Sequence, residues 1–163
     1  MRPVTEDDIR ASLVNCTKGE AKRMAVPKDL ADRPWSDLDF LGWQDPAARE
    51  RAYLVVETDD RLIGVALRVA PQTGQVRRGM CTLCLTSHPG PGISLMTARK
   101  AGRTGQQGNS VGAYICTDLA CSLYLRGKKH TEPGGRIHES LTTEEKAERT
   151  IANLTSFLDR VLE

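Results

Sequence analysis

Residues 80–85 read MCTLCL and residues 114–122 read YICTDLACS, and these two stretches decide the fold of the chain. They contain the pairs Cys81-x2-Cys84 and Cys116-x4-Cys121, which are separated by 31 residues. Structural zinc takes four tetrahedral ligands, commonly thiolates at ~2.3 Å, and two spaced cysteine pairs can supply them. The spacing therefore predicts one structural Zn²⁺ ion ligated by Cys81, Cys84, Cys116 and Cys121.

The segments around the cysteines predict the element order of a treble clef. The predicted elements are a knuckle-like turn over 81–84, a strand over 93–99, a loop over 102–109, a strand over 110–115 and a helix over 118–126. Asp118 is a candidate N-cap of that helix and Gly127 is a candidate terminator. Cys121 then lies in the first helical turn, where backbone amides offset the negative charge of a zinc–thiolate centre.

The cysteines also admit two other interpretations, a redox C-x-x-C pair or a cluster of buried free thiols. A thioredoxin-like site is disfavoured, because no βα unit opens with the C-x-x-C and the second pair would go unused. His88 follows Cys84 by four residues. It is an alternative ligand, although we interpret it as a neighbour of the site or a surface group. We interpret Cys16, the remaining cysteine, as a small buried apolar residue.

Residues 1–75 predict a small α/β lobe. Thr5 followed by three acidic residues is typical of a helix start, and Ile9 and Leu13 give this helix an apolar face. The other predicted elements are a short helix over 19–24, irregular structure over 27–50, and strands over 52–57 and 62–69 joined by a turn at 59–60. The apolar anchors expected in the irregular segment are Trp35, Phe40 and Trp43.

The C-terminal region, 131–163, predicts a linker and an amphipathic helix that packs back on the chain. Thr142 and Glu145 form a capping box at the helix start. The apolar stripe comprises Ala147, Ile151, Leu154, Leu158 and Val161. Pro- and Gly-rich linkers are predicted over 71–79 and 128–135. With the lobe over 1–75 and the zinc finger over 76–130, the helix completes one α+β domain.

The charge of the chain is unevenly distributed. The 163 residues carry a net charge of +2, but segment 76–130 has eight Lys and Arg against one acidic residue, which gives +7. Such a field favours an acidic partner, either nucleic acid or an acidic protein face. No apolar run is long enough to span a membrane, and the charged N-terminus does not resemble a signal peptide. We therefore expect a cytoplasmic protein without a membrane partner.

The sequence contains no recognisable catalytic constellation. Four thiolates would fill a zinc coordination sphere and leave no open position for a substrate or water. The deaminase pattern is absent, and no phosphate loop, serine elbow or paired carboxylate site is found. The spaced glycines of 102–109 lie between strands and not before a helix, so they do not indicate a nucleotide loop. We expect a binding protein, not an enzyme, and no small-molecule substrate.

Several motifs resemble a known family, the elongation factor G-binding proteins. The matching stretches are NCTKGEA at 15–21, FLGW at 40–43, CTLC at 81–84 with HP at 88–89, ISLM at 93–96, GN at 108–109 and YICTDLACSLY at 114–124. They resemble the C-terminal treble-clef zinc-finger module of the fusidic-acid-resistance proteins, and in particular its stand-alone actinobacterial form. The resemblance extends from about Thr5 to Leu162 and implies that the four cysteines are zinc ligands.

The resemblance implies a function in translation. Members of the family bind elongation factor G and promote its release from the ribosome, so that translation survives fusidic acid. The fusidic-acid-resistance proteins have an additional N-terminal helical bundle, for which this chain has no room. On the basic zinc lobe, the side chains that we expect to contact the partner are Arg99, Lys100, Tyr114, Arg126 and Lys128.

The alternative function is binding to RNA or to the ribosome, including its rRNA. The +7 charge of segment 76–130 favours it. The same segment contains only Tyr114 and Tyr124 as aromatic residues for base stacking, which disfavours it. Elongation factor G is therefore the first-choice partner and RNA the second.

Overall fold

A computed structural model of the chain describes residues 1–59, 61–72, 78–131 and 139–163. Parts of both predicted linkers and Asp60 of the predicted turn lie outside these residues. The helices are α1 (Glu6–Ser12), α2 (Lys18–Arg23), α3 (Gly102–Gln106), α4 (Cys121–Leu125) and α5 (Thr143–Leu162). The strands are β1 (Phe40–Asp45), β2 (Ala48–Glu57), β3 (Leu62–Val69), β4 (Gly79–Met80), β5 (Ser87–His88), β6 (Ile93–Arg99) and β7 (Ser110–Cys116). Short 3-10 helices cover Leu30–Asp32, Trp35–Asp37 and Gly90–Gly92.

A five-stranded antiparallel sheet of order β1-β2-β3-β6-β7 carries the fold. The N-terminal lobe supplies the first three strands and the zinc-finger hairpin supplies the last two. β3 and β6 share only two register pairs, Arg68 with Thr97 and Val69 with Met96. Beyond them the Asn15 side chain bridges the two strands, donating to the carbonyls of Ala66 (2.9 Å) and Arg99 (3.0 Å). One sheet thus runs through both predicted lobes.

Each face of the sheet has its own core. On one face, α5 packs with inward side chains of all five strands, and Leu154, Phe157 and Val161 are fully buried there. On the other face, α1 and the segment before β1 cover the first three strands, around Ile9 and Trp43. The α+β class, with a C-terminal helix packed on the sheet, is as predicted.

Segment 27–50 is more regular than the sequence indicated. Residues 40–45 form the edge strand β1, and β2 begins at Ala48 instead of 52. Gly42 interrupts the apolar pattern of this strand, but its lack of a side chain is required by packing. A Cβ on Gly42 would lie 2.5 Å from Leu119 Cβ, in the loop between the second pair of cysteines.

The prediction of a loop over 102–109 was wrong for residues 102–106, which form α3. A glycine-rich sequence does not predict a helix, yet here close backbone approach favours glycine. A Cβ on Gly105 would overlap the carbonyl oxygen of Lys100. The helix predicted from Asp118 begins three residues later, at Cys121.

The C-terminal helix α5 has the predicted capping box, since Thr142 accepts from the Glu145 N–H and Glu145 accepts from the Thr142 N–H. Leu154, Leu158 and Val161 are buried as predicted, whereas Ala147 and Ile151 are half-buried. Phe157 was not in the predicted stripe and is 1% exposed. Within the described ranges, no helix has both the length and the apolar character required to cross a membrane.

Candidate metal centre

The first cysteine pair lies in a tight turn between β4 and β5. The Cys81 N–H donates to the Thr86 carbonyl (2.9 Å), and the Leu85 N–H donates to the Cys81 carbonyl (3.0 Å). Leu85 has φ of 58°, a left-handed conformation that reverses the chain directly after Cys84. The turn points both sulfur atoms into the protein, and both cysteines are buried.

The second pair is delivered by a strand end and a helix start. Cys116 is the last residue of β7 and Cys121 is the first residue of α4. Between them Leu119 has φ of 57°, and the Asp118 side chain accepts from the Ala120 N–H at 3.0 Å. These two features turn the chain so that Cys121 faces Cys116.

The four cysteine sulfurs lie within 4.8 Å of one another. The separation is 3.7 Å between Cys81 Sγ and Cys121 Sγ, and 3.6 Å between Cys84 Sγ and Cys116 Sγ. Thiolates ~2.3 Å from a tetrahedral zinc are about 3.8 Å apart. A disulfide would require about 2.05 Å. The spacing therefore fits four ligands of one metal ion and not two disulfides.

The chemistry of the cluster also suits a divalent cation. Hydrogen bonds from Cys116, Cys81 and Cys84, together with complete burial, raise the pKa of Cys121 well above its ordinary value. Four buried thiolates cannot coexist without a compensating charge, and a divalent ion supplies it when the thiols release their protons. The soft, closed four-sulfur donor set is the one that structural zinc prefers.

A second group of side chains surrounds the sulfur cluster. His88 Nε2 lies 3.3 Å from Cys116 Sγ, and the Leu83 N–H donates to Cys81 Sγ at 3.4 Å. The His88 ring stands edge-on to Tyr124, with centroids 4.6 Å apart. His88 is thus placed beside a predicted ligand, as a hydrogen-bonding neighbour.

Asp118 holds Tyr124 and Lys129 in place at the periphery of this group of side chains. Its Oδ2 accepts from the Tyr124 hydroxyl (2.8 Å) and from Lys129 Nζ (2.6 Å). Burial tends to raise the pKa of Asp118, but the hydrogen bonds from Lys129, the Ala120 N–H and Tyr124 hold it below its usual value. The carboxylate therefore stays ionised and fixes Tyr124 against His88.

The predicted partner-binding residues do not form one free surface. Tyr114 is 56% exposed on edge strand β7. Arg99 is exposed but lies 3.5 Å from Glu20 of α2, and Lys100 lies 3.6 Å from Glu163.

Arg126 and Lys128 are held by the N-terminal lobe. Arg126 donates to both carboxylate oxygens of Asp39, at 2.6 and 2.8 Å, with side chains only 19% and 11% exposed. Lys128 donates to Asp37 at 2.6 Å. The sequence shows that residues 37–39 are acidic and that residues 126–129 are basic. Only the fold shows that these two stretches are in contact.

One surface residue was missed by sequence reasoning. Met80 precedes the knuckle and is 44% exposed; it and Tyr114 are the exposed large hydrophobic residues of the described chain. Cys16, in contrast, is half-buried and lies apart from the sulfur cluster.

Comparisons with known proteins agree with this architecture. The profile of the FBP C-terminal treble-clef zinc-finger family matches residues 8–161. Among solved structures, the fusidic acid resistance protein FusC is similar, with a TM-score of 0.52 and 20% sequence identity. The match covers 85% of this chain and 51% of that chain, so the similarity is one of fold and extends over about half of FusC. No curated protein matches the sequence.

Proposed function

Because the chain belongs to the FBP C-terminal treble-clef zinc-finger family, we propose that it is a zinc-stabilised protein-binding module whose partner is elongation factor G. In this proposal it aids release of the factor from the ribosome, in the manner of a fusidic acid resistance protein, and acts in the cytoplasm. The similarity in fold to FusC supports the proposal. The exposed Tyr114 beside the metal site is the observation that carries it.

The contact surface that we propose lies at the zinc end of β7, around Tyr114 and Met80. Exposed aromatic and methionine side chains are enriched at protein interfaces. Thr82 of the knuckle holds this surface in place, since its N–H and its hydroxyl both donate to the Tyr114 carbonyl, at 2.7 and 2.9 Å. Zinc fixes the knuckle, and the knuckle fixes the strand that presents Tyr114.

The net charge of +7 on segment 76–130 overstates the positive charge that this surface offers to a partner. Arg126 is neutralised inside the molecule by Asp39, so it stabilises the fold and leaves no free charge for a partner. Lys128 is 56% exposed and its pair with Asp37 can open at little cost, since exposed ion pairs contribute only about 0–1 kcal/mol. We retain Arg99, Lys100 and Lys128 as rim residues that steer the encounter.

We further propose that the module acts by binding alone. Four thiolates complete the coordination of a tetrahedral zinc and leave no position for a substrate. The acidic, tyrosine and histidine side chains near the site are engaged with one another or with a sulfur atom.

The test is the affinity of the zinc-loaded chain for purified elongation factor G. Replacing Tyr114 by Ser should weaken binding by about tenfold or more, equal to about 1.4 kcal/mol. Tyr114→Phe keeps the ring and should retain most of the affinity. Lys128→Glu should slow association and reduce its salt dependence without changing zinc content.

Lys28→Glu is the control, because the segment that precedes it packs on β1 at the opposite edge of the sheet, where Trp43 donates to Ala25. It should bind like wild type. Capture of the factor from a lysate should also survive RNase treatment. No affinity of the wild-type chain for the factor, or full affinity of Tyr114→Ser, contradicts the proposal.

A further inference from the structure

Part of one sheet face is left uncovered by the helices. The face that carries Trp43 and Tyr53 is covered over β1 and over the parts of β2 and β3 around Tyr53, but it lies open at Arg51 and Arg68 and over β6 and β7. Register pairs place one continuous set of side chains there, and these are exposed or half-exposed: Arg51, Arg68, Leu95, Thr97, Arg99, Ser110, Gly112 and Tyr114. We call this set the open face.

A cleft of about 620 Å³ lies where the open face meets α2. Four arginines line it, Arg23, Arg51, Arg68 and Arg99, against two acidic residues, Glu20 and Glu50. Asn15 and Cys16 form part of its wall. These two residues begin the NCTKGEA motif, which has no part in the zinc site.

The arginines of the cleft are poorly compensated within the molecule. Arg51 and Arg68 are directly opposite each other on β2 and β3, a like-charge pair that disfavours the folded sheet. Arg51 reaches Glu50 only at 3.9 Å and Arg99 reaches Glu20 only at 3.5 Å. In the described chain, Arg23 and Arg68 have no ion pair within 4.0 Å. The cations of 126–129 differ, since each has a carboxylate at 2.6 Å.

Uncompensated guanidinium groups across neighbouring strands suit a polyanion. Adjacent strands are about 4.8 Å apart, so Arg51 on β2 and Arg68 on β3 are direct neighbours. Arg99 on β6 lies diagonally across from Arg68, two residues beyond Thr97, which is the register partner of Arg68. Guanidinium forks match phosphate oxygens in a bidentate manner, and phosphate contacts need no particular base. Gly108 and Ser110 bring only small side chains to the far rim, so an extended chain can enter.

We propose that this cleft binds the phosphate backbone of single-stranded RNA without sequence preference. The cleft does not include Tyr114 or Met80, and it shares only Arg99 with the rim of the zinc-end surface. The proposal does not depend on binding of elongation factor G. An acidic protein segment is the competing occupant. The cluster of arginines, with no lysine among the residues that line the cleft, favours phosphate over isolated carboxylates.

The test is fluorescence anisotropy of the zinc-loaded full chain with a labelled oligouridine of about 12 nucleotides. Affinity should fall steeply between about 50 and 200 mM salt. Arg68→Glu should weaken binding by about tenfold or more and also lower the salt slope. Its melting temperature should equal or exceed that of wild type, because the change converts the opposed Arg51–Arg68 pair into an attractive one. If Arg68→Glu loses RNA affinity while its melting temperature rises, Arg68 acts in binding and not in stabilising the fold.

Two further variants complete the test. Lys146→Glu makes a reversal of charge on α5, which packs on the other face of the sheet and does not line the cleft, and it should leave RNA affinity within about twofold. Arg68→Lys keeps the charge but not the fork and should fall between wild type and Arg68→Glu. Absence of RNA binding at about 50 mM salt, or equal binding by Arg68→Glu, overturns the proposal. So does tighter binding of an oligoglutamate peptide of equal charge, which would assign the cleft to an acidic protein segment.

Discussion

Cys84 and Cys121 lie on different elements, so a metal that joins them holds the knuckle to the helix start. We predict that Cys84→Ser or Cys121→Ser loses zinc and unfolds the region from 78 to 130. Zinc binding in such sites contributes folding free energy on the order of 10 kcal/mol. Metal analysis and thermal melting measure both effects.

Cys16→Ser is the matched control for these variants, because it makes the same substitution at a half-buried cysteine away from the cluster. It should keep one zinc per chain and melt near wild type. A Cys121→Ser protein with full zinc content and native melting would show that the ligand set is different.

His88 is the next residue whose role can be tested alone. Its Nε2 lies 3.3 Å from Cys116 Sγ, and an N–H donated there would stabilise the thiolate. We predict that His88→Phe keeps one zinc per chain but lowers zinc affinity by about 10–100-fold, as measured by chelator competition.

His130 offers a control for this change, since it is exposed and lies outside the group around the metal site. His130→Phe should leave zinc affinity unchanged. If His88→Phe instead abolishes zinc binding, His88 is a ligand; if it has no effect, the ring serves packing against Tyr124 only.

The C-terminal helix α5 is joined to the zinc finger by more than its apolar stripe. Asn153 donates to the Leu83 carbonyl at 2.9 Å, and the Ala101 N–H donates to the Val161 carbonyl at 2.7 Å. We predict that truncation after Ser140 unfolds the whole chain. Each buried side chain lost removes roughly 1.5–3 kcal/mol, and the sum rivals the stability of a small domain.

Circular dichroism and thermal melting of the truncated chain measure this effect. A milder variant, Phe157→Ala, should cost about 3–5 kcal/mol through the cavity it leaves. Ser156→Ala, at the adjacent exposed position, should be nearly neutral. Native melting of the truncated chain would mean that α5 is an appendage.

The two parts of the molecule are coupled where β1 meets the loop between Cys116 and Cys121. The Gly42 backbone packs on Leu119, which leaves no space for a methyl group at Gly42. We predict that Gly42→Ala destabilises the chain by about 1–3 kcal/mol through overpacking. Zinc loss to a chelator should also accelerate, because Leu119 lies in the loop between two of the predicted ligands.

Gly112→Ala is the control, since its Cβ would lie 3.3 Å from the movable end of the Leu95 side chain on the open face. It should melt at or slightly above wild type, because alanine is favoured over glycine in a strand by roughly 0.5–1 kcal/mol. Destabilisation by Gly42→Ala without faster zinc loss would show that the lobes are energetically separate.

The sequence alone determined the features that depend on local chemistry. The spacing of the four cysteines predicted one zinc ion, and the capping box with its apolar stripe predicted α5. Both patterns, ligand spacing and helical periodicity, are visible in the local sequence. The strands 62–69 and 93–99 were predicted with the bounds that the structure has, since each is a short apolar run between turn residues.

Only the tertiary structure decided the features that depend on residues distant in sequence. Glycine is required at position 42 of β1 because a side chain there would clash with Leu119, which is distant in sequence. The sequence indicates a surface charge at Arg126, but in the fold Asp39, 87 residues away, neutralises it. The opposition of Arg51 and Arg68 follows from the register of two strands, and register is set by packing of the whole sheet. Charge and apolarity can be read from a sequence, but the partner that cancels a charge or covers an apolar face is chosen by the fold.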